Sequence, residues 1–387
     1  MTRYQKSSCT RLDMVMGNNQ YLLMINSNWT EVVSLVNSNS MVVLKLYKQL
    51  KRRFLRSNFD VETLRLSLCL LENNNILFHH DANYKYYQDI SCELFKKLNP
   101  ISKFGNKELF YRFCFAGVYT DYFNNKPIEK KLYEKFLLSG LRYFRVKYKK
   151  TNSREMLSSY LLGLIHVSQH YLFKGDIKNN SLCLKKSGAI VRTCNWLNSN
   201  YRAFFYYHYA WSFYERHRNK KALEFINKLL VSKGGRGVEP IALHAMNVKC
   251  AMLYALRRYK ACLDLANRVY LEAKKVFSAN NQDVYAESLL NIAKCLNKQG
   301  VFLYKAKEHA QKAISILTTL FLGDNIDISQ ALANIVLGEV YEKMNNTSKA
   351  LGHYTFSQKI YENIYKNNVT KNARYLQLKK KIQQMGS

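Results

Sequence analysis

Two histidine pairs have the spacing that first raises the question of metal chemistry. His166 and His170 stand four residues apart, so both lie on one face of a predicted helix. His79 and His80 are adjacent, and adjacent side chains on a helix diverge. A zinc site needs further Cys, His or carboxylate ligands at suitable spacing, and neither pair has them nearby in the sequence. We therefore expect these histidines to pack or to face solvent, and we predict no metal and no cofactor.

Catalytic signatures are missing from the chain. It contains no phosphate-binding glycine loop, no zinc-protease or nucleophile-elbow motif and no kinase signature. Paired carboxylates for acid–base chemistry are scarce, because 27 Asp and Glu residues stand against 60 Lys and Arg residues. We predict that the protein is not an enzyme.

The formal net charge of +33 is compatible with an anionic partner such as nucleic acid. The best local candidate has aromatic residues interleaved with the cations Arg142, Arg145, Lys147, Lys149 and Lys150. These cations also end a predicted helix, where they complement its dipole. No long Lys/Arg run exists elsewhere, so we favour solvated helix faces over nucleic-acid binding.

Cysteine use and hydropathy indicate the compartment. The nine cysteines form no CxxC pair and mostly occupy apolar helical patterns, as expected of reduced core residues. The apolar run at 21–25 is too short for a signal peptide, and no segment approaches the length of a membrane span. We expect a cytoplasmic protein, with the nucleus as a second location.

Helical periodicity runs through almost the whole chain, which has 48% hydrophobic residues and only three prolines. The polar residues 1–30 predict a poorly ordered N-terminus. We predict an N-terminal helical region at 31–150, repeated helix pairs at 155–366, and a basic C-terminal helix or tail at 367–387. The fold class is therefore all-α.

Small residues recur at regular intervals after residue 155. In the first helix of each pair they are Ser168, Ala210, Cys250, Ala293 and Gly338, and the matching positions of the second helices are Asn180, Ala222, Cys262, Ala306 and Ala350. A large side chain follows each of the first set three residues later. This pattern predicts closely packed helix pairs of the tetratricopeptide type, stacked into an α-solenoid with a concave face. The turn after Gly300 is one residue longer than the turn after Asn345.

A more specific resemblance lies at residues 45–80. Lys45-Leu46-Tyr47, Gln49, Ser57, Phe59, Leu77 and His79-His80 stand in register with the amyloid-protein-binding protein 2 family. That family consists of tetratricopeptide-type substrate receptors of cullin-2 ubiquitin ligases. The segment from Ala306 to Ile316 also resembles a repeat of the family, and the likeness extends over most of residues 32–343. The chain departs from the family at Val36, where a proline is usual, and it is shorter at its C-terminal end.

The resemblance implies a function. The family's N-terminal segment engages elongin C, with elongin B, and cullin-2, while its repeats capture protein C-termini that end in a short degron containing Arg and Gly. Carried over to residues 32–80, the adaptor-binding candidates are Ser34, Leu35, Leu44, Leu46 and Tyr47. The alternative for these side chains is ordinary packing against residues 61–71.

The first helix of each pair is expected to line the concave face of such an array. The register of the small residues places ten candidates there: Tyr207, Trp211, Tyr214, Glu215, Asn247, Tyr254, Glu287, Lys294, Glu339 and Glu342. The glutamates suit an arginine of a bound peptide, Lys294 suits a terminal carboxylate, and the aromatic residues suit anchoring.

The leading hypothesis is a non-enzymatic substrate receptor of a cullin-2–elongin ubiquitin ligase that binds C-terminal degrons. The alternatives are a repeat scaffold for protein–protein interaction without ligase attachment and a basic nucleic-acid-binding repeat protein.

Overall fold

The computed structural model describes residues 107–115, 127–197, 199–232, 240–276, 282–300, 302–320, 328–365 and 373–386, with scattered positions between 48 and 93. Within these ranges the secondary structure is α-helix joined by short turns. The helices are α1 (Lys107–Phe115), α2 (Pro127–Thr151), α3 (Arg154–Phe173), α4 (Ile177–Thr193), α5 (Ser199–Glu215), α6 (Asn219–Ser232), α7 (Pro240–Ala255), α8 (Tyr259–Val276), α9 (Gln282–Gln299), α10 (Leu303–Leu320), α11 (Ile328–Lys343), α12 (Thr347–Tyr365) and α13 (Ala373–Gly386). None of the described helices is long and apolar enough to cross a membrane.

The chain divides into two compact units, one of residues 1–171 with 178–201 and one of residues 172–177 with 202–387. In the first unit, helices α1 and α2 pack together. Arg112 of α1 is 4% exposed and forms ion pairs with Glu108 at 3.1 Å and Glu155 at 2.7 Å. Its guanidinium carbon also lies 5.6 Å from the ring centroid of Phe144. This buried cation therefore joins α1, α2 and α3.

The second unit consists of the helix pairs α5–α6, α7–α8, α9–α10 and α11–α12, followed by α13. Within each pair the predicted small residues are buried, and the contacts show why size matters. In the pair α7–α8 the thiol of Cys262 donates to the carbonyl of Cys250 at 3.1 Å. In the pair α11–α12, Gly338 faces the ring of Tyr354. The helices approach so closely at these points that larger side chains do not fit.

The turn inside each pair follows one rule. The residue seven positions after the first small residue has a positive φ, between 56° and 75°, at Gly175, His217, Arg257, Gly300 and Asn345. The next amide then closes the helix end at three of these turns, for example from Arg258 to the carbonyl of Leu253 at 2.8 Å. Ala293 and Ala306, on either side of the longer turn that follows Gly300, stay fully buried.

The segments 1–30 and 32–47, including the adaptor candidates Ser34, Leu35, Leu44, Leu46 and Tyr47, lie outside the described residues. His79 and His80 also lie outside them. The predicted domain boundaries and the adaptor contact therefore stay predictions.

Candidate peptide-binding surface

The ten predicted groove residues all lie on the first helices of the four pairs in the second unit. Their helices are α5 for Tyr207, Trp211, Tyr214 and Glu215, α7 for Asn247 and Tyr254, α9 for Glu287 and Lys294, and α11 for Glu339 and Glu342. Helix α9 contacts both α7 and α11, so first helices pack directly on one another. We call these ten side chains, together with His244 and Asp283, the first-helix surface.

A polar network connects α7 with α9 at the centre of this surface. The amide of Asn247 donates to the carbonyl of Val284 at 2.9 Å and to the carboxylate of Glu287 at 3.4 Å. Asn291 in turn donates to the backbone carbonyl of Asn247 at 3.3 Å. Asn247 is only 2% exposed, so it positions its neighbour instead of meeting a ligand itself: these bonds hold the partly exposed carboxylate of Glu287 in one orientation, as a recognition surface requires.

His244 and Asp283 extend the same network, and the sequence did not single them out. The Nε2 atom of His244 lies 3.5 Å from the carboxylate of Asp283, and its Nδ1 atom lies 4.0 Å from that of Glu287. His244 sits in a helix whose pattern is apolar nearly all round, with Ile241, Leu243 and Ala245 beside it. Its position three residues before Asn247, on the same helical face, was the available signal.

Lys294 and Glu339 form a partly buried centre of opposite charges on adjacent first helices. Burial lowers the pKa of Lys294, and the nearby Arg374 lowers it further, while Glu339 and Glu287 oppose the change. Burial raises the pKa of Glu339, and Lys381 and Lys294 oppose that change. Both side chains are thus held in surroundings drier than bulk water, where an ionic contact with a ligand is stronger.

Aromatic side chains flank the charges. Trp211 and Tyr214 lie with ring centroids 5.6 Å apart, and both are partly exposed. Burial raises the pKa of Tyr207, and the carboxylates of Glu287 and Asp283 act in the same direction. The pKa of Tyr254 is raised by burial and by Glu339. These phenols stay protonated, so each combines an apolar ring with a neutral hydroxyl group.

The two remaining carboxylates contact the last helix of the chain. Glu215 pairs with Arg374 of α13 at 3.4 Å, and Glu342 pairs with Lys381 of α13 at 2.7 Å. The sequence predicted a basic C-terminal helix but gave no sign that it touches the first helices. Arg374 and Glu215 are 159 residues apart, and no periodicity spans that distance.

The histidine pair of the first unit has a different setting. Burial lowers the pKa of His166 to about 4, and Gln169 partly opposes this through a hydrogen bond. The Nε2 atom of His170 lies 3.7 Å from the carboxylate of Glu134. Among the described residues, no group of three or more His, Cys, Asp or Glu side chains has the arrangement of a metal site.

Comparison with known proteins places the fold. No family model and no curated protein matches the sequence. Among solved structures, the chain is similar to a Rap protein in complex with competence and sporulation factor, with 13% identity, a TM-score of 0.55, and coverage of 95% of this chain and 99% of that one. It is also similar to NprR in complex with its cognate peptide NprX, with 14% identity, a TM-score of 0.50, and coverage of 81% and 83%. The chain is an all-α solenoid of stacked, tetratricopeptide-like helix pairs.

At such low identity the likeness establishes this fold and nothing finer. The prediction of an all-α, tetratricopeptide-like solenoid from the spacing of the small residues is therefore confirmed. The narrower resemblance to cullin-2 substrate receptors has no counterpart in these matches and is taken up below as a proposal.

Proposed function

We propose that the protein is a non-enzymatic scaffold whose first-helix surface binds a basic peptide segment of a partner protein. The observation that carries this proposal is a group of polar side chains on neighbouring first helices. Asn247 holds Glu287 by a hydrogen bond, the opposite charges of Lys294 and Glu339 lie nearby, and partly exposed aromatic rings border the group. A carboxylate held in one orientation and still partly exposed, such as that of Glu287, suits the cations of a peptide, and the rings suit its apolar side chains.

The distribution of charge supports a basic ligand. The first helices α5, α7, α9 and α11 carry acidic and basic side chains in equal number, although the whole chain has a net charge of +33. The acidic ones are Glu215, Asp283, Glu287, Glu339 and Glu342, and the basic ones are Arg202, Lys249, Lys294, Lys298 and Lys343. The second helices α6, α8, α10 and α12 instead carry a clear excess of Lys and Arg. The first helices therefore carry fewer cations than the second helices, so a cationic peptide would be repelled less on the first-helix surface than on the second helices.

Two similar solved structures are of proteins in complex with a peptide or a factor, which agrees with this choice of ligand class.

A peptide anchored by aromatic rings loses most of its affinity when one central ring is removed. We expect Trp211→Ala to weaken binding of Arg-containing peptides about tenfold or more. The measurement is fluorescence anisotropy with a panel of labelled C-terminal peptides.

The matched control is Tyr304→Ala. Tyr304 is 76% exposed and lies on the second helix α10. Its loss should leave peptide affinity unchanged. Equal effects of Trp211→Ala and Tyr304→Ala would contradict binding on the first-helix surface.

The finer form of the proposal makes the protein a substrate receptor of a cullin-2–elongin ubiquitin ligase. It rests on the resemblance at residues 45–80 and at Ala306–Ile316. In this form the segment 32–80 attaches to elongin C, and the bound segment is a C-terminal degron containing Arg and Gly. The elongin-facing candidates are Ser34, Leu35, Leu44, Leu46 and Tyr47.

Co-purification tests that attachment. The full chain should recover elongin B, elongin C and cullin-2, and Leu46→Asp should abolish their recovery. The same pulldown should still recover partners that bind the repeats. Recovery of such partners without any elongin would leave a scaffold that acts outside the ligase.

A further inference from the structure

The C-terminal helix α13 is amphipathic and packs on the last repeat. Tyr375, Leu378, Ile382 and Met385 recur at intervals of three or four residues and so share one face. Tyr375 and Leu378 are 5% and 4% exposed, and all four side chains join the buried cluster of the last two helix pairs. The hydroxyl of Tyr375 also donates to the carboxylate of Glu362 on α12 at 2.9 Å. The apolar face of α13 is therefore covered by the last helix pairs of this same chain.

The first turn of α13 reaches across to α5. The guanidinium group of Arg374 lies 3.4 Å from the carboxylate of Glu215, and its carbon lies 5.5 Å from the ring centroid of Tyr214. A carboxylate beside an aromatic face is a favourable site for a guanidinium group, through an ion pair and a cation–π contact together. Tyr214 and Glu215 both belong to the first-helix surface.

The third turn of α13 repeats this arrangement on α11 and α12. The ammonium group of Lys381 lies 2.7 Å from the carboxylate of Glu342 and 4.8 Å from the ring centroid of Tyr354. The hydroxyl of Tyr354 donates to the same carboxylate at 2.7 Å. Two cations separated by two helical turns thus each occupy a site made of one carboxylate and one tyrosine ring.

We propose that α13 is an internal ligand of the first-helix surface, and that a basic amphipathic helix of a partner protein binds by displacing it. This inference rests on the proposed function and adds the chemistry and the control of the bound segment. The partner helix would carry an Arg and a further cation seven residues later, with apolar residues at the positions that match Tyr375, Leu378 and Ile382. Recognition is then of the helix-in-groove kind.

The strength of the contacts suits displacement. The side chains of both ion pairs are between 30% and 43% exposed, and pairs that water reaches contribute about 0–1 kcal/mol each. The ion pairs set the position of α13, whereas its apolar face, with Tyr375 and Leu378 buried, supplies most of its attachment and has to be matched by the apolar face of the partner helix. Because α13 is tethered, its effective concentration is on the order of millimolar, so a partner must supply better contacts to replace it.

A charge-reversal experiment on the full chain tests the proposal. The double variant R374E/K381E breaks both ion pairs. The double variant K379E/K380E changes the same total charge at two exposed positions of the same helix. The probe is a labelled synthetic peptide of residues 371–387 of this chain, and binding is followed by fluorescence anisotropy.

We expect R374E/K381E to bind the probe at least tenfold more tightly than the wild-type chain does, because the new carboxylates face Glu215 and Glu342 and its own helix competes less well. K379E/K380E should bind the probe as weakly as the wild type does. Equal affinities for all three proteins would overturn the proposal.

A second measurement needs no variant. Hydrogen exchange of the wild-type chain should show faster exchange at residues 373–386 when excess probe peptide is added, with α11 and α12 unchanged. Unchanged or slower exchange at 373–386 with the peptide bound would overturn the proposal. If partner peptides bind the wild type and R374E/K381E equally, and Trp211→Ala still weakens them, the binding surface stands and the internal ligand does not.

Discussion

Gly338 lies directly against the aromatic ring of Tyr354. A methyl group on its Cα atom would be 2.6 Å from Cε1 of that ring and 2.8 Å from Cδ1. Tyr354 is fully buried, and its hydroxyl donates to Glu342, the carboxylate that Lys381 contacts. This close approach therefore fixes both the packing of the last pair and one site of the first-helix surface.

Substituting Gly338 with Ala should destabilise the protein, because the inserted methyl group has to move a buried ring. We expect a loss of about 2 kcal/mol in the free energy of unfolding, measured by urea denaturation with circular dichroism. Gly352→Ala is the control, since Gly352 lies inside α12 and no atom lies within 4 Å of its added methyl group. That change should stabilise the protein by about 0.5–1 kcal/mol. Effects of the same sign would contradict this account.

Gly300 tests the turn rule. Its φ of 75° is strained for any residue with a side chain, and its added methyl group would meet nothing within 4 Å. Gly300→Ala should therefore cost about 1 kcal/mol through backbone strain alone. Gly300→Asn should cost less, because Asn tolerates this conformation and Asn345 already adopts it at the equivalent turn. Thermal unfolding of both variants measures the difference, and equal losses would show that the strain lies elsewhere.

The sequence alone predicted this architecture because small residues stand at the positions where two helices pack closely. Gly338, Cys250 and their equivalents recur every 40–45 residues, since each pair must solve the same packing problem. The residue with positive φ was visible at Gly300 and Asn345. It was hidden at Arg257, whose type does not favour that conformation, whereas His217 is of a type that adopts it more readily.

The place of the candidate residues on the first helices followed from the sequence for a related reason, and their role as a binding site stays a prediction. Asn247, Glu287 and Lys294 follow from the register of the first helices. The contacts of Glu215 and Glu342 with α13 do not, because a tertiary contact between distant segments leaves no periodic trace. His244 was missed since a buried His in an apolar helix looks the same as a core residue until its partners on α9 are known.

Arg112 should be essential to the first unit. Its side chain is 3% exposed and is paired with Glu108 and Glu155. Arg112→Ala leaves two carboxylates without their cation, and we expect it to cost about 3 kcal/mol in the free energy of unfolding. Lys149→Ala removes an exposed cation from α2 and should change stability very little. A loss below about 1 kcal/mol for Arg112→Ala would mean that water replaces the ion pairs.

Acid should destabilise the protein in part through His166. Its pKa is about 4 in the folded chain, below the ordinary value of about 6.5 for histidine, so the unfolded chain binds the proton more tightly. Stability should therefore fall as the pH is lowered from 6.5 towards 4. His166→Gln stays neutral and can keep a hydrogen bond to Gln169, so its melting temperature should fall less over this range. Parallel pH profiles for the two proteins would exclude His166 as a source of acid sensitivity.

Glu287 offers a test of the sign of the charge that the first-helix surface recognises. It accepts a hydrogen bond from Asn247 and lies beside His244. Glu287→Gln keeps the size of the side chain and removes its charge. We expect this change to weaken an Arg-containing peptide about threefold to tenfold at low salt and to make the remaining affinity less dependent on salt. Glu224→Gln, on the exposed side of the second helix α6, is the matched control and should leave peptide affinity unchanged. Titrations at 50 and 500 mM NaCl measure both effects.

The same titrations separate peptide binding from nucleic-acid binding by the basic second helices. The affinity for a nucleic acid would fall steeply with salt, and it would not fall in Glu287→Gln, because removing a carboxylate cannot weaken the attraction of a polyanion.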